Sequence, residues 1–523
     1  MENAAEIGVV GLGASGVVTT IALVRELVRR SSQEPGLPFR ITVFERNGPF
    51  PGGVAYGTPH DVHVLNMRAS TMSIHSDRPD AFVEWLRSRP GDTHHHPVHA
   101  DAYVPRSAYR HYLADEFAAA VKAAAEHGGS VRVVPSEVTD VAPRHDGVYL
   151  TSPDGVARFD QVFLCPGESH HPPHESFAGH PRYIASSWDY RSIGEIPPDA
   201  SVGIIGTSLS AIDVVLLLRA QGHSGPLHAV SRVRPLPKVQ GAYQRHELKF
   251  LTRHNLRLLT CDHTRPITLS DISVLFRLEL QDALGETVDW ERVLADIGRE
   301  DHARRLAEDI RAAESGAAYW YCVLDATGDV IVDYWHHLDA ASRALFAPWR
   351  PHWMTYRHCM PLPTARTLLG MMERQQLTVS TGMRNLTRGE AGDFRITTAE
   401  GESPVDYVVN ARGVSGDSAR GGTPLVQQLL RSGTVAAHPD GGLHVDFDTA
   451  RMMSRDGRAW PHLFLIGPQT SGVHFYTNSM ETVLRNADRA ARAAVAALTP
   501  ADGPRSGPRD DGRRPVPAPS PPA

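Results

Sequence analysis

Gly11, Gly13 and Gly16 follow the apolar run Ile7–Val10 in the spacing G-x-G-x-x-G, and a helix is predicted behind them over Val17–Arg29. In that spacing the first glycine makes a tight turn, the second lets backbone approach a pyrophosphate, and the third lets helix lie against strand. The helix N-terminus, with Ala14 and Ser15, then faces the phosphates. A second strand, Arg40–Phe44, ends at Glu45, where a carboxylate reaches a ribose 2′-OH; Arg46 and Val138 are counted with the same nucleotide. A second turn, Gly206-Thr207-Ser208-Leu209-Ser210-Ala211, has Ser208 in place of the middle glycine. Its next strand, Leu227–Val230, ends in Ser231-Arg232-Val233-Arg234 rather than in an acid. Arginine there suits a 2′-phosphate, so Gly206, Ser208, Ser210, Arg232 and Arg234 are expected to hold NADPH rather than NADH.

Other patterns carry less chemistry. His94-His95-His96 with His99, and His170-His171 with His174, lie among prolines without a Cys or carboxylate at ligand spacing, so no metal is expected. Gly206-Thr207-Ser208-Leu209-Ser210 lacks the last glycine of a nucleophile elbow. The cluster Trp349, Arg350, Trp353, Tyr356 and Arg357 reads as core packing, with Arg357 a candidate to face substrate. Between Gly472 and Met480, His474 and Tyr476 are candidates for substrate contact, whereas Asn478 and Ser479 either join them or cap a helix over Glu481–Leu498.

These residues need two similar units to position them. Val148–Gly155 and Phe394–Gly401 match as strand and turn, and Asp160–Gly167 matches Asp406–Gly413 at the same offset. The second unit is the longer, and its excess falls between about Lys238 and Leu377. There Ile272–Leu284, Trp290–Ile297 and His302–Ala313 carry apolar residues at helical spacing. The expected fold is α/β, with two Rossmann-like dinucleotide-binding domains, each with a β-meander, plus a helical insertion. The boundaries are 1–190 for the first part of the first dinucleotide-binding domain, 198–415 for the NADPH-binding domain with its insertion about 240–375, and 416–498 for the return to the first domain. Residues 499–523, rich in Pro, Gly and Arg, are expected to be disordered.

With 523 residues, 41% hydrophobic and 21% charged, the chain has the composition of a folded multidomain protein. A net charge of −6 argues against a nucleic-acid footprint. Four cysteines without CxxC spacing give neither a disulfide framework nor a zinc ribbon. The acidic Met1–Glu6 lacks the basic stretch of an export signal, so a cytoplasmic location is expected. Ile7–Val24 is uncharged, but its glycines and threonines fit strand, turn and helix better than a membrane span.

The N-terminal G-x-G-x-x-G with Glu45, the paired unit and the closing Leu463–Pro468 resemble flavoproteins with two dinucleotide-binding domains. More narrowly, Gly53-Val54-Ala55-Tyr56-Gly57-Thr58, Leu65-Asn66-Met67, Phe82-x-x-Trp85-Leu86, Tyr103-Val104-Pro105-Arg106-x-x-Tyr109-x-x-Tyr112-Leu113 and Ser231-Arg232 resemble a bacterial FAD/NAD(P)-binding family. That family includes nitrosuccinate-forming L-aspartate N-monooxygenases and FAD-dependent urate hydroxylases. Asp160-x3-Leu164-Cys165-Pro166-Gly167 is similar to the D-x3-L-A-T-G segment of N-hydroxylating monooxygenases, with Cys165 and Pro166 in place of Ala and Thr.

The resemblance implies FAD near Gly167, Gly467 and Pro468, NADPH on the second unit, and oxygen transfer through a C4a-hydroperoxyflavin. The substrate it implies is a small molecule, an amino acid such as L-aspartate, for which Asn66, Arg68, Arg357, His474 and Tyr476 are the site candidates. Hydroxylation of carbon in an aromatic or purine ring, and a flavin-binding protein without oxygenase activity, remain open beside it. No membrane or nucleic-acid partner is expected, and no pattern speaks to oligomeric state.

Overall fold

The computed structural model describes residues 4–33, 38–48, 52–89, 99–168, 175–177, 179–299, 301–389, 392–413 and 422–498. The tail from 499 and the histidines at 94–96, 170, 171 and 174 lie outside them.

The first sheet contains β1 (Ala5–Val10), β2 (Phe39–Phe44) and β3 (Ser130–Val134). Next in the chain comes an antiparallel meander, β4 (Asp140–Arg144), β5 (Gly147–Ser152) and β6 (Gly155–Phe159), and then β7 (Gln161–Leu164). The second unit holds β8 (Tyr183–Ile184), β9 (Val202–Ile205), β10 (Leu227–Val230), β11 (Leu377–Ser380), the meander β12 (Asn385–Arg388), β13 (Phe394–Thr397) and β14 (Glu402–Val405), and β15 (Tyr407–Asn410). The chain ends with β16 (Arg451–Met453) and β17 (Ala459–Leu465). The sheets run β16-β17-β7-β1-β2-β3 and β11-β10-β9-β15-β8, parallel except for β16. This is the two-unit α/β architecture that the internal echo implies.

Strand order reverses at β1 and again at β9. Register aligns Val10 with Phe44 and Leu164, and Ile205 with Val230 and Asn410, so both glycine turns open at the carboxyl ends of their sheets, where such folds hold ligands. The stretch Ile7–Val24 is a buried strand followed by helix Ala14–Gln33. No helix among the described residues is long and apolar enough to cross a membrane.

The last helix, Met480–Ala496, returns to the first unit and packs on Ala14–Gln33. Its Ala487, Ala490, Ala491 and Ala494 are fully buried, because small side chains let the two axes approach, and an Arg25–Asp488 ion pair at 2.5 Å pins the contact.

Nine helices of the described chain, from Arg253–Leu259 to Leu362–Glu373, fill the connection between β10 and β11. Thr268, Asp289 and Asp301 are the N-caps of three of them, each accepting a backbone N–H, and start those helices within a few residues of where periodicity alone puts them. Two buried charges tie this cap down. The Lys238 ammonium sits 2.6 Å from Asp296 and 2.8 Å from Asp309. The Glu279 carboxylate accepts from the backbone N–H groups of Lys249, Phe250 and Leu251 and pairs with His246, fixing a segment that lines the cavity.

Candidate functional site

A cavity of about 1510 Å³ runs between the two glycine turns and under the helical cap. Its size exceeds the roughly 300–1,000 Å³ of a single drug-sized ligand pocket, so it has room for more than one ligand.

One end is the first glycine turn. Gly11 takes φ 98°, a left-handed conformation that favours glycine, and a Cβ at Gly16 would run into the Gly11 carbonyl oxygen. A Cβ at Gly13 would meet only Gly53 Cα at 3.6 Å, so that face stays open, and Gly13, Ala14 and Ser15 line the cavity. This is a cradle of backbone N–H groups with no side chain in it, as a pyrophosphate requires. Glu45 stands at the end of β2, where its two carboxylate oxygens accept from Leu12 N at 2.8 Å and Asn47 N at 2.9 Å. Each oxygen keeps a second lone pair. Arg46 pairs with Glu137 at 3.0 Å on the surface, and Val138 is buried in an apolar cluster; neither is among the described cavity-lining residues. Gly167, Pro468 and Asn478 line the cavity beside Glu168. Burial pushes the Glu168 carboxyl up to about 7, against a hydrogen bond from Asn478. Ser479 occupies the helix N-cap without a side-chain bond, and Gly467 caps a short 3-10 turn whose Thr470 hydroxyl donates to its carbonyl at 2.9 Å.

The other end is the second turn. Gly206 takes φ 133°, and a Cβ there would fall 2.5 Å from the Ala411 carbonyl oxygen. Ser208 and Ser210 line the cavity, and the Ser208 hydroxyl is turned aside to accept from Arg234 Nη1 at 3.3 Å. Arg232 is exposed at the end of β10, and Arg412 is exposed at the end of β15, on the other side of β9. Burial chiefly, with the Arg232 charge, holds the Arg412 guanidinium below its usual range. Two exposed arginines at the ends of the strands flanking β9 suit a phosphate monoester.

Between the two ends lies a cationic wall. Arg350, Met354 and Arg357 fall at i, i+4 and i+7 of helix Arg350–Arg357 and line the cavity together with His358. Two bonds set this helix beside the second unit, Lys238 N to Thr355 O and Met360 N to Lys238 O. From the strand side comes Arg234, its backbone carbonyl held by the hydroxyls of Thr207 and Ser231. Arg234, Arg350 and Arg357 make no ion pair among the described residues, and Arg357 Nε is buried without a hydrogen-bond partner. Burial, and then the Arg350 charge, lower the pKa of Arg234, and burial lowers that of Arg350. Burial also opposes the Arg357 charge, but Tyr476, Asp325, Tyr321 and Glu481 together outweigh it and raise its pKa.

Tyr476 completes this wall. Phe475 takes φ 56°, unusual for a side-chain-bearing residue, and is held by stacking on Trp335 at 4.6 Å. The Tyr476 hydroxyl accepts from Trp353 Nε1, and burial pushes its pKa up to about 12.

Two sequence candidates lie elsewhere. His474 is fully buried and outside the cavity wall: Nδ1 meets the Thr470 hydroxyl and Nε2 the Phe447 carbonyl, both at 3.1 Å, and burial brings its pKa down to about 4. Its polar atoms are spent on its own chain, which corrects the expectation of substrate contact. Arg68 is 1% exposed, bonded to Tyr321 Oη at 2.8 Å and Asp325 Oδ2 at 3.1 Å, and stacked on Tyr243 at 3.5 Å. It joins the Asn66–Met67 wall to the cap and is not a clamp open to the cavity. Asn66 itself lines the cavity, with its backbone carbonyl taken by Gln240 at 2.7 Å.

Sequence reading took Arg350 for core packing and passed over His358, Arg412 and Glu168. The spacing of Arg350 and Arg357 on one helical face was the available signal; His358, Arg412 and Glu168 are brought in by tertiary contacts alone.

Comparison with known proteins fits this geometry. Residues 8–169 match a family model described as FAD-NAD(P)-binding. L-lysine 6-monooxygenase from Pseudomonas syringae superposes with a TM-score of 0.57 at 17% identity, over 95% of this chain and 100% of that one. The ornithine N-hydroxylase of Kutzneria sp. 744 gives 0.54 at 16%, over 94% and 98%, and the FAD-bound cadaverine monooxygenase of Erwinia amylovora gives 0.56 at 13%, over 98% of both. At these identities the likeness is one of fold, extending over nearly the whole chain. A search of curated proteins finds no match.

Proposed function

We propose that this protein is an FAD- and NADPH-dependent monooxygenase that hydroxylates the amino nitrogen of a small acidic amino acid, L-aspartate first among them. The first turn, with Gly13 open and Glu45 at the ribose position, would hold FAD; Gly206, Ser210 and the Arg232–Arg412 pair would hold NADPH. When bound, FAD reduced by NADPH and meeting O2 supplies the oxygen atom. The protein's part is to bind, orient and keep water out.

The fold neighbours act on lysine, ornithine and cadaverine by their printed names, which supports nitrogen as the oxidised atom. The observation that carries the acidic substrate is the wall of Arg234, Arg350 and Arg357, three guanidinium groups without a carboxylate ion pair among the described residues. Arg234 and Arg350, half-buried and held below their usual range, cost free energy unless an anion completes them, and a carboxylate takes a guanidinium bidentately. Two carboxylates on this wall would hold the amine of aspartate close beside it.

The test is Arg357→Ala. It is expected to keep its FAD content, raise the KM for aspartate at least tenfold, and release more hydrogen peroxide per NADPH consumed, because a poorly held amine leaves the oxidant unused. Unchanged KM and full coupling in that variant would remove the argument for an acidic substrate.

A further inference from the structure

Three histidines line the cavity. His75 pairs with Glu116 at 2.7 Å and His246 with Glu279 at 3.0 Å. His358 differs: neither ring nitrogen has a hydrogen-bond partner among the described residues, and neither is sealed from the cavity. Its ring stands among the guanidinium groups of Arg357 and Arg350 from its own helix and its C-terminal end, and of Arg234 from the segment after β10. Tyr476 of the same wall is its ring neighbour, with centroids 6.3 Å apart. An imidazole placed between cations, with both nitrogens unbonded and open to a ligand cavity, is available to a ligand.

We propose that His358 accepts the proton that the substrate's ammonium group must lose. The inference rests on the proposed N-hydroxylation of an acidic amino acid. Such a substrate arrives as an ammonium, which has no lone pair with which to form an N–O bond. With its carboxylates on Arg234, Arg350 and Arg357, its nitrogen sits within a few bonds of the wall that holds His358. One N–H bond of the substrate breaks and one imidazole N–H bond forms; the positive charge moves from amine to ring, and no electron pair leaves either molecule.

The electrostatics make this acceptor conditional on substrate. Burial and then the charges of Arg357, Arg234 and Arg350 hold the imidazole down to about 3, so it is neutral and able to accept. At that value it is too weak a base to take a proton from an ammonium. Carboxylates on the wall offset the three positive fields and raise the ring's basicity, while burial, the larger cause, stays. An occupant carrying two negative groups therefore makes the ring a stronger acceptor than it is beside the arginines alone. Glu168, the other cavity group near neutrality, faces Asn478 on the FAD side of the cavity, and no guanidinium contributes to its shift.

Two measurements on the FAD-loaded protein test the proposal. The first is the pH dependence of kcat for aspartate in wild type and His358→Gln, with FAD content and melting temperature checked in both. The variant is expected to lose about a hundredfold in kcat near pH 7 with KM little changed, and to recover roughly tenfold per pH unit as the solution deprotonates the amine itself. The second uses histidine 15N resonances and needs no turnover. With succinate, which has two carboxylates and no amine, the His358 signal, assigned by its absence in the variant, should move its midpoint upward by about two pH units or more. A His358→Gln profile matching wild type, a pH limb abolished by Glu168→Gln instead, or a His358 midpoint indifferent to succinate would each overturn the proposal. If wild type oxygenates no amino acid while the succinate shift is present, the proposed function fails and the anion-linked histidine stands.

Discussion

Replacing Gly13 by alanine separates cofactor binding from folding. Gly13 is not among the residues of positive φ, and a Cβ there would make only an ordinary contact, 3.6 Å from Gly53 Cα. The folded apoprotein should therefore accept the methyl group at a cost within about 1 kcal/mol, and a Gly→Ala change at a compatible position can even stabilise. The same methyl group sits at the open face of the first turn, where a pyrophosphate would lie against backbone N–H groups. Overpacking of a tight contact costs about 1–3 kcal/mol, which corresponds to FAD affinity weaker by roughly five- to 150-fold. Gly16→Ala is the contrast, because its Cβ would collide with the Gly11 carbonyl oxygen and force the helix Ala14–Gln33 off its strand. Titrating apoprotein with FAD by fluorescence quenching, beside a thermal melt without flavin, reads both quantities. Gly13→Ala should melt within about 2 °C of wild type and bind FAD at least fivefold more weakly, whereas Gly16→Ala should lose stability as well. Wild-type FAD affinity in Gly13→Ala would refute the cradle.

Arg232→Ala should lower the NADPH-over-NADH preference by about ten- to a hundredfold, since a charge-assisted contact contributes about 1.5–3 kcal/mol, and an unaltered coenzyme ratio would move the 2′-phosphate elsewhere. Arg68→Met leaves the Asp325 carboxylate without its buried partner and should cost about 3–5 kcal/mol, with Arg68→Met/Asp325→Leu recovering most of it in thermal melts. A raised KM with unchanged melting would instead return Arg68 to the substrate. His474 is held neutral in the fold, with a pKa of about 4 against an ordinary 6.5, so the unfolded chain takes up a proton that the native state refuses. Its contribution is present above about pH 6.5 and is lost as pH falls toward 4, by about 3 kcal/mol at most. His474→Asn should flatten the fall of melting temperature with acid, and an equally steep fall would contradict this.

The fold was legible because its signals are local. Gly11, Gly13 and Gly16 spell a strand-turn-helix, the Asp-x6-Gly echo from Asp160 and Asp406 announces a second unit, and apolar periodicity over Ile272–Leu284, Trp290–Ile297 and His302–Ala313 marks the cap helices. The site was legible only where a residue's role follows from its place on an element. Tyr476, expected to contact substrate from its place after the closing strand, lines the cavity, while His474, two residues earlier, is turned away from it. The short helix Ser471–His474 turns that ring inward, and the positive φ of Phe475 then reverses the chain toward the cavity. Arg68 misled for a related reason, since its partner Asp325 is far away in sequence and nothing nearby shows that its charge is neutralised. The convergence of Arg234, Arg350 and His358 depends on how strand, cap and linker pack, and no spacing encodes it.

The central claim is tested most directly by identifying the product. Protein reconstituted with FAD, given NADPH and 18O2 and offered a panel of amino acids and purines, should place labelled oxygen on the nitrogen of aspartate in preference to lysine or ornithine, as read by mass spectrometry of the product and its fragments. Label on a ring carbon of a purine, or NADPH oxidation to peroxide with no labelled product from any acidic amino acid, would contradict it.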